Sequence, residues 1–215
     1  MNNRGNFQAY LAKWRGLCYN FREVMTLKDK FLEIYRNNIV RSGSDRLLEW
    51  ILKSDFFTAP ASTKFHGAYE GGLVEHSVNV YNRLLGEVMS VPDLEFSDET
   101  IAISALLHDI CKVNTYKIEY RNRKNPQTGQ WEQYPSYSVE DTVPYGHGEK
   151  SVYIINSFMR LTRDEAMAIN WHMGGFDDRA RGGSFSISKA FEMHPLAVLL
   201  HVADLKATYL DEHRD

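Results

Sequence analysis

At 215 residues the chain is long enough for one domain with a full hydrophobic core and short for two. Its 43% hydrophobic and 25% charged residues exclude a disordered chain, and a formal charge of −3 argues against broad electrostatic binding to nucleic acid. Cys18 and Cys111 make neither a disulfide framework nor a CxxC pair. Residues 1–21 carry no signal-peptide pattern and no later window approaches a membrane span, so a soluble protein of the reducing cytoplasm is expected.

Residues 1–25 are polar and aromatic with weak periodicity and read as an N-terminal arm; residues 26–215 read as one helical domain. Thr26 is placed to cap a helix in which Leu27, Phe31, Ile34 and Tyr35 share a face. Ser44 and Asp45 start a second, through Leu47, Leu48, Ile51 and Leu52, and Pro60 lies in a loop leading to His66. Gly71 and Gly72 open a third through Val74, Val78, Tyr81, Leu84 and Leu85. After Ser97 and its acidic followers, residues 101–110 are apolar nearly all round, the pattern of a helix at the centre of a fold. His108 and Asp109 stand near its end, a costly place for charge.

The period then changes. Tyr116, Ile118 and Tyr120 alternate with polar residues, residues 126–129 form a turn, and Trp131, Tyr134 and Tyr137 follow, which predicts a β-hairpin at about 115–140 with Pro135 interrupting its second arm. The aromatic stripe is expected to pack the hairpin onto its own domain, with stacking of Tyr116, Tyr120, Trp131 and Tyr137 on a nucleobase as the alternative. Helical character resumes at 147–159. Thr162 and Glu165 form a capping box for a helix that reaches His172 and stops at Gly174 and Gly175. Residues 179–184 read as a glycine-rich basic loop, and Pro195 begins a last helix bearing Asp204. The predicted fold class is all-α, a mainly helical bundle with one inserted β-hairpin.

The chemistry lies in polar groups on apolar helices. An unpaired buried Asp costs several kcal/mol, so Asp109 and Asp204 need a counter-charge. One divalent ion held by His76, His108, Asp109 and Asp204 supplies it, and His147 with His172 offers a second ion that Asp109 bridges. Imidazole with carboxylate suits manganese, zinc, iron, cobalt or nickel over calcium. Each residue also has a plain structural alternative: His76 as a helix-surface or partly buried histidine, His147 as a loop residue between Gly146 and Gly148, His172 at a helix dipole, Asp204 paired with Lys206 or an arginine. Their joint occurrence is what points to a site.

The runs GGLVEHSVNV (71–80), ALLHDICKV (105–113) and HVADLKAT (201–208) resemble the HD superfamily of metal-dependent phosphohydrolases, and HGAYEGGL with His66 is similar to the HD part of bacterial 3′-5′ exoribonuclease-like hydrolases. The resemblance covers residues 66–208. It implies the ligands His76, His108, Asp109 and Asp204, with His147 and His172 in the order of binuclear members, and Lys112 beside the substrate phosphate. The OB-fold of the exoribonuclease branch has no room before residue 60, so the expected substrate is a small phosphorylated molecule, a nucleotide or short oligonucleotide, and not a long nucleic acid or a membrane. In the expected mechanism a metal-activated water attacks phosphorus and Lys112 neutralises the developing charge. His66 orients or protonates the leaving oxygen or serves as a gatekeeper, while Arg179 and Arg181 bind a phosphate or belong to a solvated loop. Cys111 is expected to pack rather than react. Two alternatives stand beside this one: a mixed-valence diiron oxygenase with the same ligand order, and a non-catalytic nucleotide-sensing domain, against which the full ligand set argues.

Overall fold

A computed structural model describes residues 25–212, so the N-terminal arm and Cys18 lie outside the described residues, apart from Met25. Thr26 opens α1 (Leu27–Asn38) with a full capping box to Asp29, and the helix buries Phe31 and Tyr35. It is followed by α2 (Ser44–Lys53), α3 (Gly72–Ser90) and α4 (Asp98–Leu107), the last capped by Ser97 and buried at every residue from Ile101 onward. After the hairpin come α5 (His147–Asn156), α6 (Arg163–Trp171), the four-residue α7 (Asp178–Arg181), α8 (Ser186–Met193) and α9 (Pro195–Lys206). A π-helical turn, Ala207–Asp211, ends the described chain.

The core is built by α3, α4, α6 and α9. The α9 helix packs on α3 and α6, α4 packs on α3, and α1 closes the α3–α4 side. Leu73, Leu84, Ile103, Leu106, Leu107, Ile110, Leu196 and Leu200 are fully buried there, each contributing about 1.5–3 kcal/mol over its exposed state. Charge also enters the interior. Arg41 reaches both oxygens of the fully buried Glu165, at 2.7 and 2.8 Å, and Glu99 at 3.2 Å, while Glu165 caps α6 with Thr162. This pairing ties the loop before α2 to α4 and α6, and a buried carboxylate left without it would be strongly destabilising.

The hairpin is present where the alternation places it. Strand β1 (Tyr116–Lys124) pairs antiparallel with β2 (Trp131–Val139), Tyr116 opposite Val139 and Lys124 opposite Trp131. Two expectations need correction. Pro135 does not interrupt β2 but pairs with Tyr120, because a two-stranded ribbon leaves alternate N–H groups facing outward where no donor is needed. The aromatic stripe packs on the domain only at its base: Tyr116 is half-buried with its hydroxyl 3.4 Å from the Ala61 carbonyl, while Tyr120 and Trp131 are 71% and 73% exposed. The expected glycine-rich loop at 179–184 is likewise part helix, since Asp177 caps α7 by accepting from the Arg179 amide. No helix among the described residues is long and apolar enough to cross a membrane.

Candidate metal centre

The helix ends bring the predicted ligands together. His108 caps the C-terminus of α4, Asp109 follows it, and the tight turn Ile110–Lys112 swings Lys112 back onto Asp109, 2.5 Å from Oδ2. His76 comes from the first turns of α3, His147 begins α5, His172 caps the C-terminus of α6 and Asp204 lies near the end of α9. Two close approaches of backbone set this up. A Cβ at Gly72 would lie 2.0 Å from the Gly67 carbonyl oxygen, and one at Gly148 would lie 2.3 Å from that of Asn170. Only glycine lets α5 sit against α6 closely enough for His147 and His172 to face one carboxylate. Ser151 and Lys150 fix α5 from the other side, bonding the Cys111 amide at 3.2 Å and the Thr115 hydroxyl at 3.2 Å.

Asp109 is the hub. Its Oδ1 lies 2.7 Å from His147 Nε2 and 3.4 Å from His172 Nε2, and its Oδ2 lies 3.5 Å from Nε2 of both His76 and His108. Asp204 Oδ1 is 3.2 Å from His76 Nε2. The ligand atoms of His76, His108 and Asp109, of His108, His172 and Asp204, and of Asp109, His147 and His172 lie within 4.8 Å of one another in each group. His172 thus stands between the two halves.

The donor set fits a cation. His108 and His172 each donate Nδ1–H to a carbonyl three residues back, Ala105 and Ile169, both at 2.7 Å. That fixes the tautomer with the Nε2 lone pair turned inward, as a metal-ligating histidine requires. Nε2 of His172 is buried and makes no hydrogen bond among the described residues, and Nε2 of His108 stands 3.2 Å from Nε2 of His76. Two inward-facing imidazoles at that separation, beside two carboxylates, call for a shared positive partner.

The electrostatics agree. Burial drives His108 down to about 3 despite the neighbouring Asp109. Burial also opposes a charged His76, but hydrogen bonds to Asp204 and Glu212 outweigh it and raise the group to about 10. His147 is likewise raised to about 10, burial opposing and Cys111 and Asp109 favouring the charge. Asp109 and Asp204 are held well below the usual carboxylate range, Asp109 by Lys112 and the histidines and Asp204 by His76, both against burial. The carboxylates therefore stay charged and draw cationic partners onto themselves.

A cavity of about 830 Å³ opens over Asp109, lined by Phe65, His66, Lys112, Tyr116, Val139, Phe176, Arg181 and Tyr209 among others. Its size suits a small organic ligand. Of the predicted substrate contacts, His66 lines this cavity with a buried Nε2 that makes no hydrogen bond among the described residues, and burial followed by the charge of His76 lowers it to about 4. Tyr116 and Arg181 line it too. Arg179 does not: its guanidinium is taken up by Asp177, Glu149 and Asn170 and lies 4.0 Å from the Trp171 ring, beside a separate cavity of about 240 Å³. Asp204 does not pair with Lys206, which reaches Glu87 instead at 2.6 Å. Cys111 is buried, with Sγ 3.5 Å from His147 Nδ1.

Sequence reasoning missed Glu212, which is 4% exposed and places both carboxylate oxygens 3.1 Å from Nδ1 of His76. Nothing local marks it, because the partner lies 136 residues away. The hydrophobic walls Phe65, Phe176 and Tyr209 carried no signal either, since single exposed aromatics are common on any surface.

A stretch of 61 residues is 39% identical to the dihydroneopterin 2′,3′-cyclic phosphate phosphodiesterase of Methanocaldococcus jannaschii, covering 27% of this chain. The chain spans 24% of that protein's length. No solved structure matches the chain. The family model for the HD domain matches residues 73–208, a span that contains all six of the clustered histidines and aspartates together with the hairpin. The chain belongs to the HD domain family.

Proposed function

We propose that the chain is a metal-dependent phosphohydrolase that cleaves a phosphomonoester or phosphodiester of a nucleotide or short oligonucleotide at the Asp109 centre. The observation that carries this is the placement of Asp109, whose two oxygens face different histidines, Oδ1 toward His147 and His172 and Oδ2 toward His76 and His108. A carboxylate so shared is suited to bridge two divalent ions of manganese, zinc, iron, cobalt or nickel. Bound there, such ions supply the Lewis acidity that activates water and neutralises phosphoryl oxygens.

The chain's own residues do the rest. Asp109 and Asp204 stay ionised and anchor the centre, while Nδ1–H bonds to the backbone hold His108 and His172 in register. Lys112, raised above its ordinary value by Asp109 against burial, keeps its charge at the cavity floor and stabilises negative charge growing on a phosphoryl oxygen. His66 offers Nε2 to orient the leaving oxygen, and Arg181 supplies a second cation at the rim. The rim aromatics Phe65, Tyr116, Phe176 and Tyr209 match the flat faces of a nucleoside. Outward from Tyr116 and Val139 the same hairpin face presents Ile118, Tyr137 and Tyr120 and, beyond the Asn122–Gln133 pair, Trp131, giving further bases of a short oligonucleotide stacking partners. The relative's cyclic phosphate diester adds support for a phosphodiester substrate.

The test is a panel of cyclic nucleotides, nucleoside mono-, di- and triphosphates and short oligonucleotides, run with each metal. Phosphoester cleavage that disappears in Asp109→Ala is the expected result. Iron-dependent oxygen uptake with no phosphate ester cleaved would replace this proposal with the diiron oxygenase.

A further inference from the structure

One face of α3 carries His76, Asn79, Arg83 and Glu87, spaced three and four residues apart. The end of α9 and the π-helical turn after it lie along this face and answer it residue for residue. Lys206 pairs with Glu87 at 2.6 Å, Asp211 takes both nitrogens of the Arg83 fork, with Nε at 2.8 Å, and Glu212 takes Asn79 at 3.0 Å and His76 at 3.1 Å. The turn is closed by the Glu212 amide donating to the Ala207 carbonyl five residues back, at 3.1 Å. Widened turns of this kind gather at functional sites. One imidazole is thus held between two carboxylates of the same segment, Asp204 on Nε2 and Glu212 on Nδ1.

A carboxylate as buried as Glu212 is expensive unless each oxygen is used. Both are used, and on the nitrogen that faces away from Asp109. His108 and His172 have backbone carbonyls in that role, whereas His76 has Glu212, which lies beyond residue 208, the last that the family model matches. We propose that Glu212 is a positioning residue for His76: it accepts the Nδ1 proton and so holds the ring plane and the Nε2 lone pair toward Asp109 and Asp204. Lys206–Glu87 and Arg83–Asp211 clamp the turn that carries it. This rests on the metal centre proposed above. By linkage, metal binding in turn tightens the docking of residues 207–212 on α3.

The test compares Glu212→Ala, Glu212→Gln and Arg83→Ala in the full chain, with zinc and manganese affinity read by chelator competition and Tm read alongside. Loss of an outer partner of a metal-bound histidine costs about 10–100-fold in affinity. Glu212→Ala should weaken binding by that factor, and Glu212→Gln, which keeps an acceptor oxygen and the shape, by less. Arg83→Ala, which loosens the turn without removing the Glu212 acceptor, should lower Tm and weaken affinity by clearly less than Glu212→Ala. In the zinc-loaded protein the His76 Nδ1 proton should give a slowly exchanging downfield signal that Glu212→Ala loses. Affinity within twofold of the parent in Glu212→Ala, or an equal loss in Arg83→Ala, overturns the positioning role. If Glu212→Ala does not fold, Glu212→Gln with unchanged affinity and an unprotected Nδ1 proton overturns it as well. A parent protein that binds no metal sinks the metal centre and this role together, whereas parent binding with an unaffected variant sinks this role alone.

Discussion

The helical core and the hairpin are built on opposite terms. In the core, His76, His108, Asp109 and His172 are at most 2% exposed, and each sits among partners that fix its position. In the hairpin, Ile118, Tyr120 and Trp131 stay more than half exposed, and the strands are held by their own ladder. A buried polar cluster tolerates one arrangement because every unpaired group is costly, so this part of the molecule is set for chemistry. A lone two-stranded ribbon is marginal in water and its exposed apolar face has little cost if altered, which leaves this part free for the binding role proposed for it.

Asp109→Ala should break the core half most completely. Both groups of histidines lose their shared oxygen and Lys112 loses its 2.5 Å partner. Phosphoester cleavage should drop by about 10²–10³-fold or more with metal content falling alongside; a folded variant with full turnover would place the reaction away from the Asp109 centre. Next in size is Gly148→Ala, whose new methyl would meet the Asn170 and Ile169 carbonyls at 2.3 and 2.6 Å. Separating α5 from α6 should cost about 1–3 kcal/mol in urea unfolding and weaken metal retention at the His147 side, and unchanged stability would show that the approach is not needed.

A smaller effect belongs to Asp177→Asn. Burial disfavours the charged carboxylate, but hydrogen bonds from Arg179 outweigh it and place Asp177 below its ordinary value. The folded state therefore holds the proton less tightly than the unfolded chain, whose Asp titrates near about 3.9. The stabilisation is complete above that pH and is lost as pH falls through the folded value. The variant should lose about 1 kcal/mol near neutrality and less in acid, measured as Tm against pH. An equal deficit at all pH values would contradict the pairing.

The smallest structural effect should come from the hairpin. Tyr120→Ala with Trp131→Ala should change stability by no more than about 0.5 kcal/mol. Turnover of a mononucleotide should hold while kcat/KM for a short oligonucleotide falls by about 5–100-fold, the loss of stacking on the exposed face. A large drop in Tm would mean that the hairpin supports the fold instead and would erase the contrast between the two regions.

Much of this was legible in the residues. Periodicity placed the main helices, the all-apolar run before His108 marked the centre, and alternation found the hairpin, because each of these signals is local. The clustered histidines and aspartates were legible for a related reason: polar residues at the ends of apolar helices stand out against their neighbours. What escaped depended on contacts across the chain. Arg41 meets Glu165 over 124 residues, and Arg179 adds Glu149, 30 residues away, to its local partner Asp177. The α8 helix went unseen because only Ala190 of its residues is buried, leaving little pattern to read. Glu212 looked like one more acid at a polar end until the π-helical turn laid it on His76.

The central claim is a binuclear centre bridged by Asp109, and elemental analysis of protein purified without added metal tests it most directly, repeated on His147→Ala. About two ions per chain, falling toward one in the variant, is the predicted result. One ion that the variant keeps would remove His147 from the site, and no bound metal even after reconstitution would contradict the account.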